Sequence, residues 1–201
     1  MDVSVNEIVE CDESFDPRHD VVNKQYSYTI RYRRKMRNDE GALLPICEKG
    51  GPPLLRSAFD SSCLWIVPWA LDDTNMQKYC DLLKGDHDFA AFVHKEARKD
   101  RNNRKPVTRF AMIRKEVGPK EEGVCEVRFE IESSGFGRSQ VRNFIGFIVD
   151  LCRGAVTNQE SVADWLWNDS PDDVANRSVI NAAPASGLCL EKVEYGNVAV
   201  I

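Results

Sequence analysis

Long apolar runs are missing from this sequence. No stretch approaches the roughly 20 consecutive apolar residues of a membrane span, and Met1 is followed by Asp2 and Glu7 instead of a basic stretch and an apolar block. The expectation is a protein with no membrane partner and no secretion or organelle signal: intracellular, cytoplasmic or nuclear. Paired cysteines are missing too. The seven that exist are scattered, odd in number and without a CxxC pair, which argues against a disulfide framework or a zinc ribbon and for a reducing compartment. Histidine is scarce, and His19, His87 and His94 do not fall at ligand spacing with any cysteine, so no metal site is expected. Ser134-Gly135-Phe136-Gly137 lacks the completion of a phosphate-binding glycine loop. No internal repeat is visible. Paired-carboxylate chemistry finds little footing, because Asp72, Asp73, Asp86 and Asp88 read as cap and turn residues and Asp60 as a solvent-facing loop residue.

What is present supports a folded core: 201 residues, 42% of them hydrophobic, enough for one large domain or one domain with an appendage. Tyr26, Tyr28, Ile30 and Tyr32 alternate with polar residues, the period-two pattern of a half-buried strand. A further strand is expected around Val3 to Val9. Residues 37–57 gather Gly-Gly, Pro-Pro and mixed charge and read as a long loop or insertion. Asp72, Asp73 and Thr74 offer N-cap candidates for a helix on which Met76, Tyr79, Leu82 and Leu83 recur until Gly85. Val107 to Val117 and Val124 to Glu132 read as a hairpin, its second arm alternating Cys125, Val127, Phe129 and Ile131 with charged residues. From Ser139 to Cys152 the apolar residues follow the helical period, with Gly154 at the stop. Shorter helices near 160–167 and 171–179 precede a last strand around Leu188–Tyr195. Hairpin strands mixed with a few packed helices indicate an α+β domain on an antiparallel or mixed sheet flanked by helices.

The net charge of −5 hides an uneven distribution. Residues 94–115 carry nine Lys/Arg against two acids, and residues 31–37 carry five against none. Such local excess in an acidic chain fits a phosphate backbone, although a solvated charged face is the plainer reading. Tyr26 and Tyr28 face one side, either into a core or toward a stacked base. Arg142 stands out in the middle of the most apolar helix. A guanidinium drawn out of water needs a carboxylate or phosphate for its planar fork, so it marks a functional anion site, a structural ion pair or a side chain that reaches solvent.

Several segments resemble, in order, the tRNA pseudouridine synthase I family. Phe15-Asp16-Pro17-Arg18 is similar to its Phe-His-Ala-Arg segment, and Lys24-Gln25-Tyr26-Ser27-Tyr28 to its Tyr-x-Tyr strand. Leu82 to Phe89 with Phe92 looks like its Leu-x-Gly-x-x-Asp-Phe-x-x-Phe signature, and Gly135-Phe136 with Gln140-Val141-Arg142-Asn143 like its Gly-Phe and Val-Arg-Asn helix start. Ala183-Pro184-Ala185-Ser186-Gly187-Leu188-Cys189-Leu190 resembles its Ala-Pro-x-x-Gly-Leu-x-Leu ending. Gly137-Arg138-Ser139 departs from the Leu-Tyr-His-like residues usual there.

The resemblance implies a pseudouridine synthase core over residues 1–201, commonly homodimeric. It implies an isomerase that converts uridine to pseudouridine in the tRNA anticodon stem-loop, with tRNA as partner and no cofactor or metal. The reaction uses a catalytic aspartate and a flipped-out base. Carried over by position, Arg142 pairs with that aspartate, Tyr26 packs on the target base, and Leu188 lines the uracil pocket. Arg98, Arg101, Arg104 and Lys105 fall where tRNA phosphates are expected. The Gly-Arg-Thr-Asp-x-Gly-Val-His loop that carries the aspartate is not found in this chain. The resemblance therefore implies the C-terminal half of the family core, truncated or working with a separate N-terminal half; the alternative is a non-catalytic RNA-binding protein that kept the scaffold.

Overall fold

The computed structural model describes residues 8, 10–35, 63–97, 101–118, 123–155, 167 and 182–196. Its centre is a mixed five-stranded sheet of β1 (Val21–Arg34), β2 (Trp65–Leu71), β3 (Val107–Glu116), β4 (Val124–Ser133) and β5 (Leu188–Tyr195). The order is β2-β1-β4-β3, with β5 also paired to β1. β1 is the hub. It runs antiparallel to β4 along Lys24–Arg33, antiparallel to β5 through its first half, and parallel to β2 through its second. With α1 (Met76–Leu82) and α2 (Gln140–Arg153) on the sheet, this is the expected α+β, mixed-sheet architecture.

The alternation seen in the sequence decides which face is buried. Tyr28, Ile30 and Tyr32 of β1 and Val127, Phe129 and Ile131 of β4 are fully buried beneath the helices. α2 is apolar on most of its surface and is buried over nearly its whole length, as a helix without a broad polar face must be. Phe144 sits at its centre, with edge contacts to Phe89 at 5.3 Å and Phe92 at 4.9 Å. Gly154 ends the helix in the left-handed conformation, φ 82°, where a Cβ would be strained.

The structure departs from the sequence reading in several places. β2 was not expected. Its WIVPWAL sequence has no alternation, and Pro68 falls where the β1–β2 register shifts, a position that tolerates a missing N–H. α1 is capped by Asn75 without a side-chain bond, so none of the three expected caps serves. Asp72 instead accepts from the Thr74 amide and hydroxyl. Asp73 is buried as an ion-pair centre. Ala90–Phe92, Lys95–Ala97 and Arg101–Arg104, where the sequence marked no helix, form three short 3₁₀ turns. The loop at 37–57, the helix at 171–179, and the opening strand apart from Ile8 lie outside the described residues. Of the helix near 160–167 only Trp167 is described; it is helical and stacks on His87 with ring centres 4.0 Å apart. Among the described residues no helix is long and apolar enough to cross a membrane.

The sheet's other face is a ladder of charge. Arg31, 7% exposed, meets Glu126 at 2.9 Å, and Lys115 meets the same carboxylate at 2.8 Å. The basic stretch at 31–37 is thus spent largely on internal partners: Arg31 on Glu126, Arg34 on Asp73, and Lys35 on the Arg153 carbonyl. Burial opposes the charge on Glu126, but Lys115 and Arg31 outweigh it and hold the carboxyl below the ordinary 4.5. A carboxyl depressed in the folded state adds stability above its unfolded pKa and loses it as pH falls through the folded value. Glu126→Gln should therefore be less stable than the parent at neutral pH, the gap closing as pH drops below about 4.5. Urea unfolding across that range checks it; a gap independent of pH would show that the pair carries no linkage. Asp150, raised by burial, shifts the other way but is common to both proteins.

Candidate active site

The polypeptide brings three distant segments together at one end of the sheet. The first is the start of β1. Tyr26 lies opposite Ile131 of β4 and Leu190 of β5, and Tyr28 opposite Phe129 and Leu188. Tyr26 and Leu188 are only half-buried and pack against the core. Leu190 beside them is 48% exposed. An aromatic ring between Ile131 and Leu190, with Leu188 near by at the rim of a core, offers the flat apolar surface that a nucleobase needs.

The second segment is the turn 134–139 leading into α2. Ser133, fully buried, donates its hydroxyl to the Gly135 carbonyl at 2.9 Å and accepts from the Gly135 amide. The turn so fixed lays Phe136 edge-on against Tyr26, with ring centres 5.4 Å apart and planes at 87°. Edge-to-face pairs favour this spacing. The Gly137 amide then donates to the Gln140 side chain at 2.7 Å. Ser139 takes a left-handed φ of 65°, unusual for a residue with a Cβ.

That turn decides where Arg142 stands. Described from the sequence as mid-helix, it is the third residue of α2, which starts at Gln140 after the left-handed Ser139. It is half-buried, not sealed in the core. A cation in the first turn meets the positive end of the helix dipole, an unfavourable place unless an anion joins it.

The third segment, 183–188, closes on this arginine. Arg142 Nε donates to the Ala183 carbonyl at 2.5 Å, and the Ala183 amide donates to the Arg142 carbonyl at 3.0 Å. Among the described residues Arg142 has no carboxylate partner, so the two terminal nitrogens of its fork remain available to an anion. Tyr28 donates its hydroxyl to the Pro184 carbonyl at 2.6 Å. Burial pushes this phenol well up, with Arg142 pulling modestly the other way; Tyr28 acts as a protonated strut, not an acid. Leu188 then enters β5 opposite it.

Of the expected site residues, Arg142, Tyr26 and Leu188 are thus joined by short links through Tyr28, Ala183 and Phe136. Lys105 belongs with them: a Cβ on Gly135 would come 2.6 Å from its ammonium nitrogen. Arg104 is exposed and lies 3.4 Å from Asp88. Arg101 lies in a 3₁₀ turn, and Arg98 is outside the described residues. Phe136 and Lys24 were not named from the sequence as site residues. Lys24 could have been, since it sits two positions before Tyr26 on the same strand. The arrangement can hold a planar base on Tyr26 and anions at Arg142 and Lys105. Among the described residues no cluster of side chains suited to a metal occurs.

A sequence profile for tRNA pseudouridine synthase matches residues 79–196, more than half of the chain. The chain is 28% identical to the tRNA pseudouridine synthase A of Thermodesulfovibrio yellowstonii, covering 96% of this chain and 66% of that protein. It is 32% identical to the enzyme of the same name from Solidesulfovibrio magneticus, over 97% of this chain and 60% of that protein. The chain therefore spans somewhat less than two thirds of the length of these relatives. The matched region runs from α1 to the end of β5 and takes in the Phe136 turn, Arg142 and the Gly187-Leu188 strand start, and on that ground the chain belongs to the tRNA pseudouridine synthase family.

Proposed function

We propose that this chain takes part in isomerising uridine to pseudouridine in tRNA, with the anticodon stem-loop as the substrate region. The observation that carries the reading is the linkage of Tyr26, Arg142 and Leu188 at one end of the sheet, with an arginine fork that has no carboxylate among the described residues. In this reading the flipped-out uracil stacks on Tyr26 and Leu188. Arg142 pairs with the catalytic aspartate of the family's Gly-Arg-Thr-Asp loop, a sequence that these 201 residues do not contain. A separate N-terminal half, or a homodimer of chains that each carry one, supplies the rest of the site. Arg98, Arg101, Arg104 and Lys105 follow the phosphates.

The bond from the ribose C1′ to N1 of the base breaks, the base rotates, and a bond from C1′ to C5 forms. The hydrogen on C5 leaves as a proton and N1 takes one up, so no redox partner is needed. Arg142 orients and neutralises the aspartate, which alone would be costly to hold in a site that excludes water.

Loss of the C5 hydrogen gives the test. Tritium release from tRNA carrying uridine tritiated at C5 is measured with the chain alone and with the chain mixed with the N-terminal half of a relative. Release only in the mixture is the expected result; release by the chain alone would overturn the pairing of Arg142 with a supplied aspartate. No release in both, alongside tRNA binding that weakens steeply with salt, would replace this reading with that of a non-catalytic RNA-binding protein.

A further inference from the structure

Lys24, Ser133 and Val107 form one row across three strands, because Ser133 of β4 is paired with Lys24 of β1 on one side and with Val107 of β3 on the other. Beyond this row lie Lys105, just before β3, and Gly135 and Phe136, just after β4. The Lys105 ammonium rests against Gly135, next to the phenylalanine that packs on Tyr26. Lys24 is two residues from Tyr26 in a stretch of β1 whose pairing with β4 has no irregularity, so the two side chains leave the same face of the sheet. Two cations, one on β1 and one just before β3, therefore stand near one aromatic pair.

Both lysines are half-buried, and among the described residues neither makes an ion pair or a side-chain hydrogen bond. This sets them apart. Elsewhere on the sheet the cations are matched by carboxylates: Arg34 and Arg114 by Asp73, Lys115 by Glu126, Arg109 by Glu130, and Arg128 by Glu191. A partly desolvated ammonium without a partner is unfavourable until an anion arrives. The anion must also suit a flat apolar surface close to the two charges. A nucleotide chain has that form: a base with a phosphodiester on each side.

We infer that Lys24 and Lys105 are a pair of backbone clamps, each holding a phosphodiester of the RNA next to the nucleotide whose base stacks on Tyr26. This rests on the reading of the site as one that takes RNA, and it assigns to Lys24 a contact that the sequence did not suggest. Clamping on both sides of a flipped base would hold the backbone in its distorted path while the base is out of the stack.

The test is tRNA binding by fluorescence anisotropy across a salt series, for the parent chain and for Lys24→Gln, Lys105→Gln and the double variant. Each lysine that neutralises a phosphate contributes about 0.7–0.9 to the slope of log affinity against log salt. Each single variant should lose about that much, the double variant about twice as much, and Lys24→Arg should restore the slope with the charge. Lys78→Gln, on the exposed side of α1, is the control and should match the parent. Equal slopes for the parent and Lys24→Gln, with the parent still binding tRNA, would overturn the clamp and leave the proposed function standing. A parent that binds no RNA, alone or mixed with the N-terminal half of a relative, would overturn both.

Discussion

Asp73→Ala is expected to lower stability by about 3 kcal/mol or more, within the range for breaking a buried charged pair by removing one partner. The carboxylate is 6% exposed. One of its oxygens accepts from the Tyr32 hydroxyl at 2.7 Å, Arg34 Nε at 3.0 Å and an Arg114 terminal nitrogen at 3.0 Å. Removing it leaves the fully buried Tyr32 without its acceptor and two guanidiniums facing each other across the vacated space. Burial works against the charge on Arg34, and Asp73 more than offsets this to leave its pKa raised. Arg114 is 41% exposed and solvent screens its share, so most of the loss comes from Tyr32 and Arg34. Urea unfolding gives the value. Asp73→Asn, which keeps an acceptor for Tyr32, should lose less than the alanine variant. A loss under about 1 kcal/mol for alanine would mean that water already supports the cluster.

Gly187→Ala is the second large effect, and it joins stability to the site. A Cβ there would lie 2.6 Å and 2.7 Å from two ring carbons of Tyr28 and 2.8 Å from the Thr29 carbonyl oxygen. Neither neighbour can yield easily. Tyr28 is fully buried and tied by its hydroxyl to Pro184, and Thr29 is in the middle of the hub strand. Overpacking of this kind costs about 1–3 kcal/mol, and backbone contact puts this case at the upper end. The alternative is for the 183–188 turn to lift, which would carry Ala183 away from Arg142 and Leu188 away from Tyr28. Either way the midpoint in urea should fall. If the chain stays folded, tRNA binding should weaken with it. Parent-like stability together with parent-like binding would show that the turn has slack the contacts do not suggest.

Much of the sheet was legible because its strands bury one face and so carry a period of two. The Tyr26–Tyr32 and Cys125–Ile131 alternations locate β1 and β4 and the side of each that faces the helices. β2 was not legible. It has apolar residues at successive positions and a proline inside, and its pairing with β1 is a long-range fact that no local pattern encodes. Asp73 was misread for a related reason. Next to a helix start it looks like a cap, while its real partners, Arg34 and Arg114, lie 39 and 41 residues away. The basic stretch at 31–37 looked like a surface for phosphate because a charge count omits the acids that a neighbouring strand sets opposite. Arg142 was legible as an anomaly, but its depth was not, because the Ala183 carbonyl that accepts from its Nε lies 41 residues away along the chain. The association of Arg142, Tyr26 and Leu188 came only from motif resemblance, since these residues lie far apart along the chain and meet through β1–β5 pairing.

That pairing also sets the order of events during synthesis. The Ser27 hydroxyl on β1 meets Glu191 on β5 across 164 residues of chain. At the usual elongation rate of about 5–20 residues per second, one edge of β1 waits roughly 10–30 s for its partner. During that interval a tyrosine-rich strand stands with open backbone donors and acceptors, able to pair with another nascent chain. Contacts of such long sequence separation also slow the final closure. Among the described strands the latest to be made, β5, is thus the one that both seals this edge of β1 and delivers Leu188 to its place.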